Sequence, residues 1–324
     1  MIVRQVPVII GIDLGGTSLR VGAFDLRGEM LNVQDCPIEA SQGPDAGIAR
    51  TIDLVEKVLR SVERYDLKGI GVGATGPVDS VSGTINNPYT LPTWQNVSFT
   101  TPLTKHFGVP VVLENDADVA ALGEYWKGAG QGVTRLFAVT VGTGIGTAFI
   151  MDGKIYRGLG GAHGDGGHHV IDPAGPPCYC GATGCWESLA SGNAIAKYAR
   201  QEARLKPTLL LEMSGGDPQR IDSRMVAEAA RKADPLALEI IDRSAYYLAL
   251  GMVNVIHLFV PEMIVLCGGV MHNYDLFIDR VQKEILKHNI MVPVGQVRVL
   301  PAKLGYYAGV TGAAYTIYQM IMGK

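Results

Sequence analysis

The chain has 324 residues, 47% hydrophobic and 18% charged, the balance of an ordinary globular protein, which excludes a disordered or fibrous chain. It is about twice the ~150-residue prior for one domain, so two lobes are expected. With 28 Lys+Arg against 31 Asp+Glu and a net charge of −3, no basic excess exists to hold a phosphate backbone or an anionic membrane, and the expected partner is a small molecule. Glycine is in surplus, at 41 residues where ~7% is usual. No collagen period or low-complexity run absorbs it, so the glycines are expected in tight turns and close backbone approaches, where anionic ligands are held.

The N-terminus enters a strand directly, without the charged, apolar and cleavage regions of a signal peptide. Residues 8–14 predict a buried strand that breaks at Gly15-Gly16-Thr17, resumes over 19–24 and turns over 25–28. Apolar spacing predicts a helix over 48–65, strands over 69–73 and 109–113, and a helix over 117–129. A strand over 136–141 then opens a second copy of the beginning: it runs into Gly142-Thr143-Gly144, resumes over 147–151 and turns at Asp152-Gly153. Strand, glycine hairpin, strand and Asp/Gly turn in the same order predict a duplicated α/β lobe with a cleft between the halves. A loop-rich stretch over 158–184 precedes a mostly helical remainder, with a strand at 263–267 running into Gly268-Gly269 and a terminal helix over 307–322. The segment 244–261 contains Asn254 and His257 and leads into a strand, so it reads as a fully buried helix rather than a membrane span. The expected division is a small lobe over 1–117, with the helix 305–324 packing back on it, and a large lobe over 118–304.

Asp13-x-Gly15-Gly16-Thr17 lies between two strands, where backbone N–H groups can converge on an anion and the aspartate can sit near a bound Mg²⁺. The alternative is a plain hairpin, but pairing with Gly142-Thr143-Gly144 favours two hairpins holding opposite sides of a triphosphate. No P-loop pattern exists. Gly71-Val-Gly73-Ala-Thr-Gly76 matches a dinucleotide pattern, yet Pro77 follows at once and no acidic residue stands at the required offset, so Gly76 is assigned to a substrate-cleft turn. Cys178-x-Cys180-Gly-x-x-Gly-Cys185 has His163, His168 and His169 just upstream. Cys₃His is a closed, structural zinc shell, and spacing does not choose among the histidines. Cys36 and Cys267 stand alone and read as buried apolar residues; reduced thiols in this number place the chain in the cytoplasm rather than in a disulfide-bonded secreted class. Glu114-Asn115-Asp116-Ala117-Asp118 ends one strand and starts a helix. A carboxylate there can take the proton of an attacking hydroxyl, or the group can simply cap the helix, and this reading does not separate Asp116 from Asp118.

These residues resemble the ROK family of sugar kinases and repressors, in the actin-like ATPase superfamily. The resemblance rests on Asp13-Leu-Gly-Gly-Thr17, Glu114-Asn-Asp-Ala117, Val141-Gly-Thr-Gly-Ile-Gly146, Gly167-His168, Cys178-Tyr-Cys-Gly-Ala-Thr-Gly-Cys-Trp-Glu187 and Leu266-Cys-Gly-Gly-Val270, in family order over nearly the whole chain. It implies a two-lobed actin-like ATPase (ribonuclease H-like) α/β fold with a duplicated lobe and a central cleft. It also implies ATP- and Mg²⁺-dependent phosphorylation of a hexose, glucose to glucose 6-phosphate first among the candidates. By resemblance Asp116 is the general base and Asn115 binds the sugar. His168 joins Cys178, Cys180 and Cys185 on a structural Zn²⁺ and also touches the sugar, and Glu187 binds its anomeric end. Thr143 and the two glycine hairpins hold phosphates, Gly268 and Gly269 line the adenosine side, and the protein is a homodimer.

Three departures bear on the sugar. Asp165 replaces the glutamate of the family's Glu-x-Gly-His, drawing that carboxylate back by more than ~1 Å, enough to lose a contact or admit a bulkier substituent. Asp118 replaces an asparagine and adds charge near the base, and Thr90 stands where many family hexokinases present asparagine. N-acetylmannosamine, N-acetylglucosamine, mannose and fructose are the alternative sugars, polyphosphate is an alternative donor, and a catalytically silent sugar-binding relative is the non-kinase alternative. The family's repressors carry a DNA-binding module ahead of the first motif; with 12 residues before Asp13 and no basic excess, nucleic-acid binding is not expected.

Overall fold

The computed structural model describes residues 5–162, 164–288, 292 and 294–323. The chain folds as two compact units, the first Met1–Gly132, Asp152–Ile155 and Lys303–Lys324, the second Val133–Met151 and Tyr156–Ala302.

The first unit opens on β1 (Val6–Leu14) and β2 (Ser18–Asp25), an antiparallel hairpin with Asp13 opposite Arg20. Both strands are buried on both faces, so they read as apolar runs rather than as alternation. β3 (Met30–Pro37) forms the sheet edge beside β2 and alternates between half-buried and exposed residues; that blunted edge pattern is why no strand was expected there. α1 (Pro44–Arg60) starts with a proline in its first turn and buries Leu54, Val55, Val58 and Leu59. It stops short of the expected residue 65 because Arg64 adopts a left-handed φ of 56° and Tyr65 already begins β4 (Tyr65–Ala74). Three two-residue strands, β5 (Val78–Asp79), β6 (Thr84–Ile85) and β7 (Val97–Ser98), form a small separate sheet. α2 (Thr100–Phe107) leads into β8 (Val111–Asn115), which runs parallel to β4 and passes directly into α3 (Asp116–Lys127). The strand order is β3-β2-β1-β4-β8.

The second unit repeats this plan. β9 (Arg135–Val141) and β10 (Ile145–Met151) form its antiparallel hairpin; the short β11 (Lys154–Ile155) belongs with the first unit. Five helices follow: α4 (Trp186–Ala190), α5 (Gly192–Glu202), α6 (Leu209–Met213), α7 (Ser223–Arg231) and α8 (Pro235–Phe259). β12 (Met263–Cys267) then lies parallel to β9, α9 (Tyr274–Leu286) crosses over, and β13 (Arg298–Pro301) lies parallel to β12. The order β10-β9-β12-β13 matches β2-β1-β4-β8, so the duplication read from the hairpins extends to the strand order. α8 is buried over most of its length, with Gly251 against the indole of Trp186. The expectation of full burial fails at its end, where Leu258 and Phe259 are exposed. Among the described residues no helix is long and apolar enough to cross a membrane. Cys36 and Cys267, expected to be buried, are half-buried, because each lies on a strand end or edge.

The chain ends in α10 (Ala308–Met322), which packs on α3, β1 and β4 of the first unit. Here glycine does something other than hold anions. A Cβ at Gly71 would lie 1.7 Å from the Ala313 carbonyl oxygen, and one at Gly11 would lie 2.0 Å from that of Val310. On the helix itself, a Cβ at Gly312 would meet the Val119 carbonyl oxygen at 1.6 Å. Part of the glycine surplus thus lets backbone approach backbone. Gly312→Ala tests the seam: alanine gains about 1 kcal/mol of helix propensity, but the obstructing atom is backbone, so overpacking of ~1–3 kcal/mol or more should win. A lowered urea midpoint is expected; a raised one would contradict this packing.

Candidate active site

The direct passage of β8 into α3 places Asn115, Asp116 and Asp118 at a helix start. Asn115 is the N-cap in extended conformation, its Oδ1 accepting the Ala117 N–H at 2.9 Å. Asp116 Oδ1 accepts the same N–H at 2.8 Å. Capping is therefore real, but it leaves the Asn115 amide NH₂ and the second Asp116 oxygen unused by it. The Asn115 amide nitrogen faces Gly76, where a Cβ would come within 2.7 Å of it. Burial, with the charges of Asp13 and Asp118 adding to it, pushes the Asp116 carboxyl from 3.8 up to about 6. Asp118 is fully buried and acts on its neighbour through charge. The structure thereby separates two aspartates that spacing alone left equal, in favour of the one the resemblance named, since Asp118 is fully buried and Asp116 retains access.

Asp13 closes the same group. Its pKa is raised by burial, with the Arg20 guanidinium pulling the other way. Arg20 is itself buried, donates to Asp13 Oδ2 at 3.0 Å and to the Tyr306 carbonyl at 2.7 Å, and lies over the Tyr306 ring. Gly309 keeps side-chain atoms away from the carboxylate: a Cβ there would lie 2.8 Å from it. In the adjoining turn the Gly15 N–H closes onto the Ser18 carbonyl, so Gly15 shapes the hairpin while Gly16 and Thr17 form its tip. Gly16 abuts Thr90, which is fixed by Asn87: the amide donates to the Thr90 hydroxyl at 2.7 Å and the Asn87 oxygen accepts the Thr90 N–H. Asn87 is almost fully buried and was missed by the sequence reading, although a polar residue inside Asn86-Asn-Pro-Tyr was its only signal. Asp13, Gly15, Gly16, Thr17, Gly76, Thr90, Asn115 and Asp116 all belong to the first unit.

The second unit gathers the rest. Gly142 closes its own turn, its N–H donating to the Gly144 carbonyl, and its carbonyl accepts the Gly192 N–H at the start of α5. Glu187, in the first turn of α4, accepts the Ile145 N–H at 2.8 Å and lies where a Gly144 Cβ would be. Gly268 has a φ of 90° and abuts the Val141 carbonyl, and Gly269 begins the following turn. A pocket of about 150 Å³ has Thr143, Tyr179, Glu187, Asn193 and Lys197 in its lining.

Beside this pocket, one ligand atom from each of His168, Cys178, Cys180 and Cys185 lies within 4.8 Å of the others. His168 Nδ1 is 3.4 Å from Cys178 Sγ, and Cys180 Sγ is 3.5 Å from Cys185 Sγ. Such spacings suit the edges of a tetrahedron with ~2.3 Å Zn–S bonds. Burial and the adjacent thiols push Cys185 up to about 12, because crowded thiolates need a cation between them. The donor set therefore fits a closed four-coordinate metal. His169 instead hydrogen-bonds the Gly166 carbonyl and meets Trp186 edge-on, and His163 lies outside the described residues. Asp165 is largely exposed, 3.7 Å from His168 Nε2.

Known proteins carry the same organisation. The sequence model of the ROK family matches residues 9–320. A glucokinase of Thermotoga maritima is 33% identical over 97% of this chain and 98% of its own length. Among solved structures, a ROK hexokinase from Thermus thermophilus superposes with a TM-score of 0.82 at 30% identity, covering 98% of this chain and 100% of that one. A ROK family glucokinase from Streptomyces griseus, solved in complex with glucose and AMPPNP, gives 0.76 at 33% identity over 95% and 98% of the two chains. The fold is thus the duplicated α/β architecture of the actin-like ATPases. The chain belongs to the ROK family.

The raised carboxyl has a consequence for stability. A group whose pKa is higher in the folded chain favours folding fully below its unfolded value near 3.8 and loses that contribution as pH rises through about 6. Asp116→Asn should therefore stabilise the fold at pH 8 by at most ~3 kcal/mol, raising the melting temperature there and changing it little at pH 4. Thermal unfolding at the two pH values checks this; equal shifts would mean Asp116 ionises normally.

Proposed function

We propose that this protein is an ATP-dependent hexose kinase that converts glucose to glucose 6-phosphate, with Asp116 as its general base. The observation that carries the reading is the Asp116 carboxyl, held near 6 at a helix start beside Asp13. A base of that pKa is ionised at neutral pH and still willing to take a proton. The relatives named glucokinase support glucose as the acceptor.

The chemistry asks for positioning and charge neutralisation. Asp116 accepts the proton of the sugar hydroxyl as its oxygen bonds to the γ-phosphorus; the bond from that phosphorus to the β–γ bridging oxygen breaks and ADP leaves. Asn115 orients the sugar from the N-cap, with Gly76 leaving it room. Gly16, Thr17, Thr143 and Gly144 line the turns that cradle phosphates, and Gly268 and Gly269 border the nucleoside. Asp13, oriented by Arg20, would hold Mg²⁺, which supplies neutralisation of phosphate charge. The Cys178, Cys180, Cys185 and His168 set would hold structural Zn²⁺ and so fix the loop that presents His168 and Glu187 to the sugar. Free thiols and the need for ATP suit the cytoplasm.

Asp116→Asn should lower turnover of glucose with ATP by about 10²–10⁴ while calorimetry still detects glucose binding. In the wild type, kcat/KM should rise with pH and level off above an apparent pKa near 6. Retained turnover in the variant would remove Asp116 from the mechanism. Separately, Cys180→Ser or prolonged chelation should release close to one zinc per chain and weaken glucose binding by roughly tenfold or more. Atomic absorption alongside calorimetry measures both, and unaltered binding by the zinc-free protein would separate the metal from the sugar site.

A further inference from the structure

Tyr179 stands between Cys178 and Cys180 and has no part in the reaction described above. It is 83% exposed, yet its hydroxyl lies 3.0 Å from His168 Nε2 and its ring meets the imidazole edge-on at 5.0 Å. Tyr179 and Glu187 line the same pocket, and the carboxylate's charge acts on the phenol. The direction of the His168 bond follows from its neighbours. His168 turns Nδ1 toward Cys178 Sγ, so with a cation among the thiolates Nε2 carries the ring proton. His168 Nε2–H therefore donates to Tyr179 Oη. A sugar hydroxyl placed on the same nitrogen would accept the same bond.

We propose that Tyr179 determines sugar affinity as an internal stand-in: its hydroxyl occupies, in the ligand-free protein, the place a hexose hydroxyl takes on His168 Nε2, in the pocket that Glu187 also lines. A sugar must displace it to bind. The inference rests on the sugar-kinase reading. The partners are built to stay in place while the phenol leaves. Glu187 is tied to the Ile145 N–H at 2.8 Å, and His168 is held in the cysteine cluster. Tyr179, by contrast, is already largely exposed and gives up little buried surface when it swings out, and Gly181 with its φ of 96° lies in the same loop.

Tyr179→Phe keeps the ring and removes the competing hydroxyl. Isothermal titration with glucose and with mannose should then give dissociation constants about three- to tenfold lower than wild type, the worth of one net hydrogen bond. The gain should appear in KM for the sugar and not in kcat, with zinc content by atomic absorption unchanged. Tyr179→Gly should show at least the same gain. Sugar affinity that is unchanged or weaker in both variants, with zinc retained, overturns the proposal, as does a protein that binds neither hexose. Hexose binding without phosphoryl transfer in the wild type would sink the kinase reading alone, and the calorimetric comparison would still decide the role of Tyr179.

Discussion

A carboxylate withdrawn from water is the constraint around which the first unit is organised. Asp116 gains acceptor character from being enclosed near two like charges, Asp13 and Asp118, and that enclosure costs folding free energy. The rest of the unit offsets the cost. The Arg20 guanidinium, itself buried, neutralises Asp13 and ties it to the chain near Tyr306. The Ala117 N–H, at the positive end of α3, stabilises what negative charge remains. A base of this kind can exist only where packing is stiff enough to keep water out.

That stiffness comes from backbone-to-backbone contact. α10 lies on β1, β4 and α3 so closely that Gly11, Gly71, Gly123 and Gly312 have no space for a methyl group. Because α10 is the last element of the chain, the start of β1 and the end of the sequence are held in one unit. Tyr306 and Gly309, just before and within α10, bear on Arg20 and Asp13. The seam that stabilises the unit therefore also aims its acidic residues.

In the second unit the equivalent task falls to a loop. The stretch around residues 165–185 has little regular structure, so its order depends on the Cys178, Cys180, Cys185 and His168 set and on Glu187, which bridges to the β9–β10 turn. Three thiols converging without disulfides make a poor core by themselves and a good one around a cation. Tyr179 is exposed, touches His168 and shares a pocket with Glu187, so the same loop carries its own competitor for the group it presents.

Local chemistry was legible in the sequence: the two glycine hairpins, the strand-to-helix step at Asn115, the cysteine–glycine loop and the repeat that relates the units. Each depends on residues adjacent in the chain, where turn geometry and donor type are written directly. β3 was not legible, because an edge strand has only one neighbour and a weak apolar pattern. Spacing left Asp116 against Asp118 and His168 against His169 open, and the family resemblance named Asp116 and His168. The tertiary structure gives the physical reason, burial of Asp118 and the approach of His168 to the thiols. That Asn87 fixes Thr90, and which glycines serve packing rather than turns, emerged only in the fold. Burial and distance between remote segments decide those questions, and neither exists until the chain has folded.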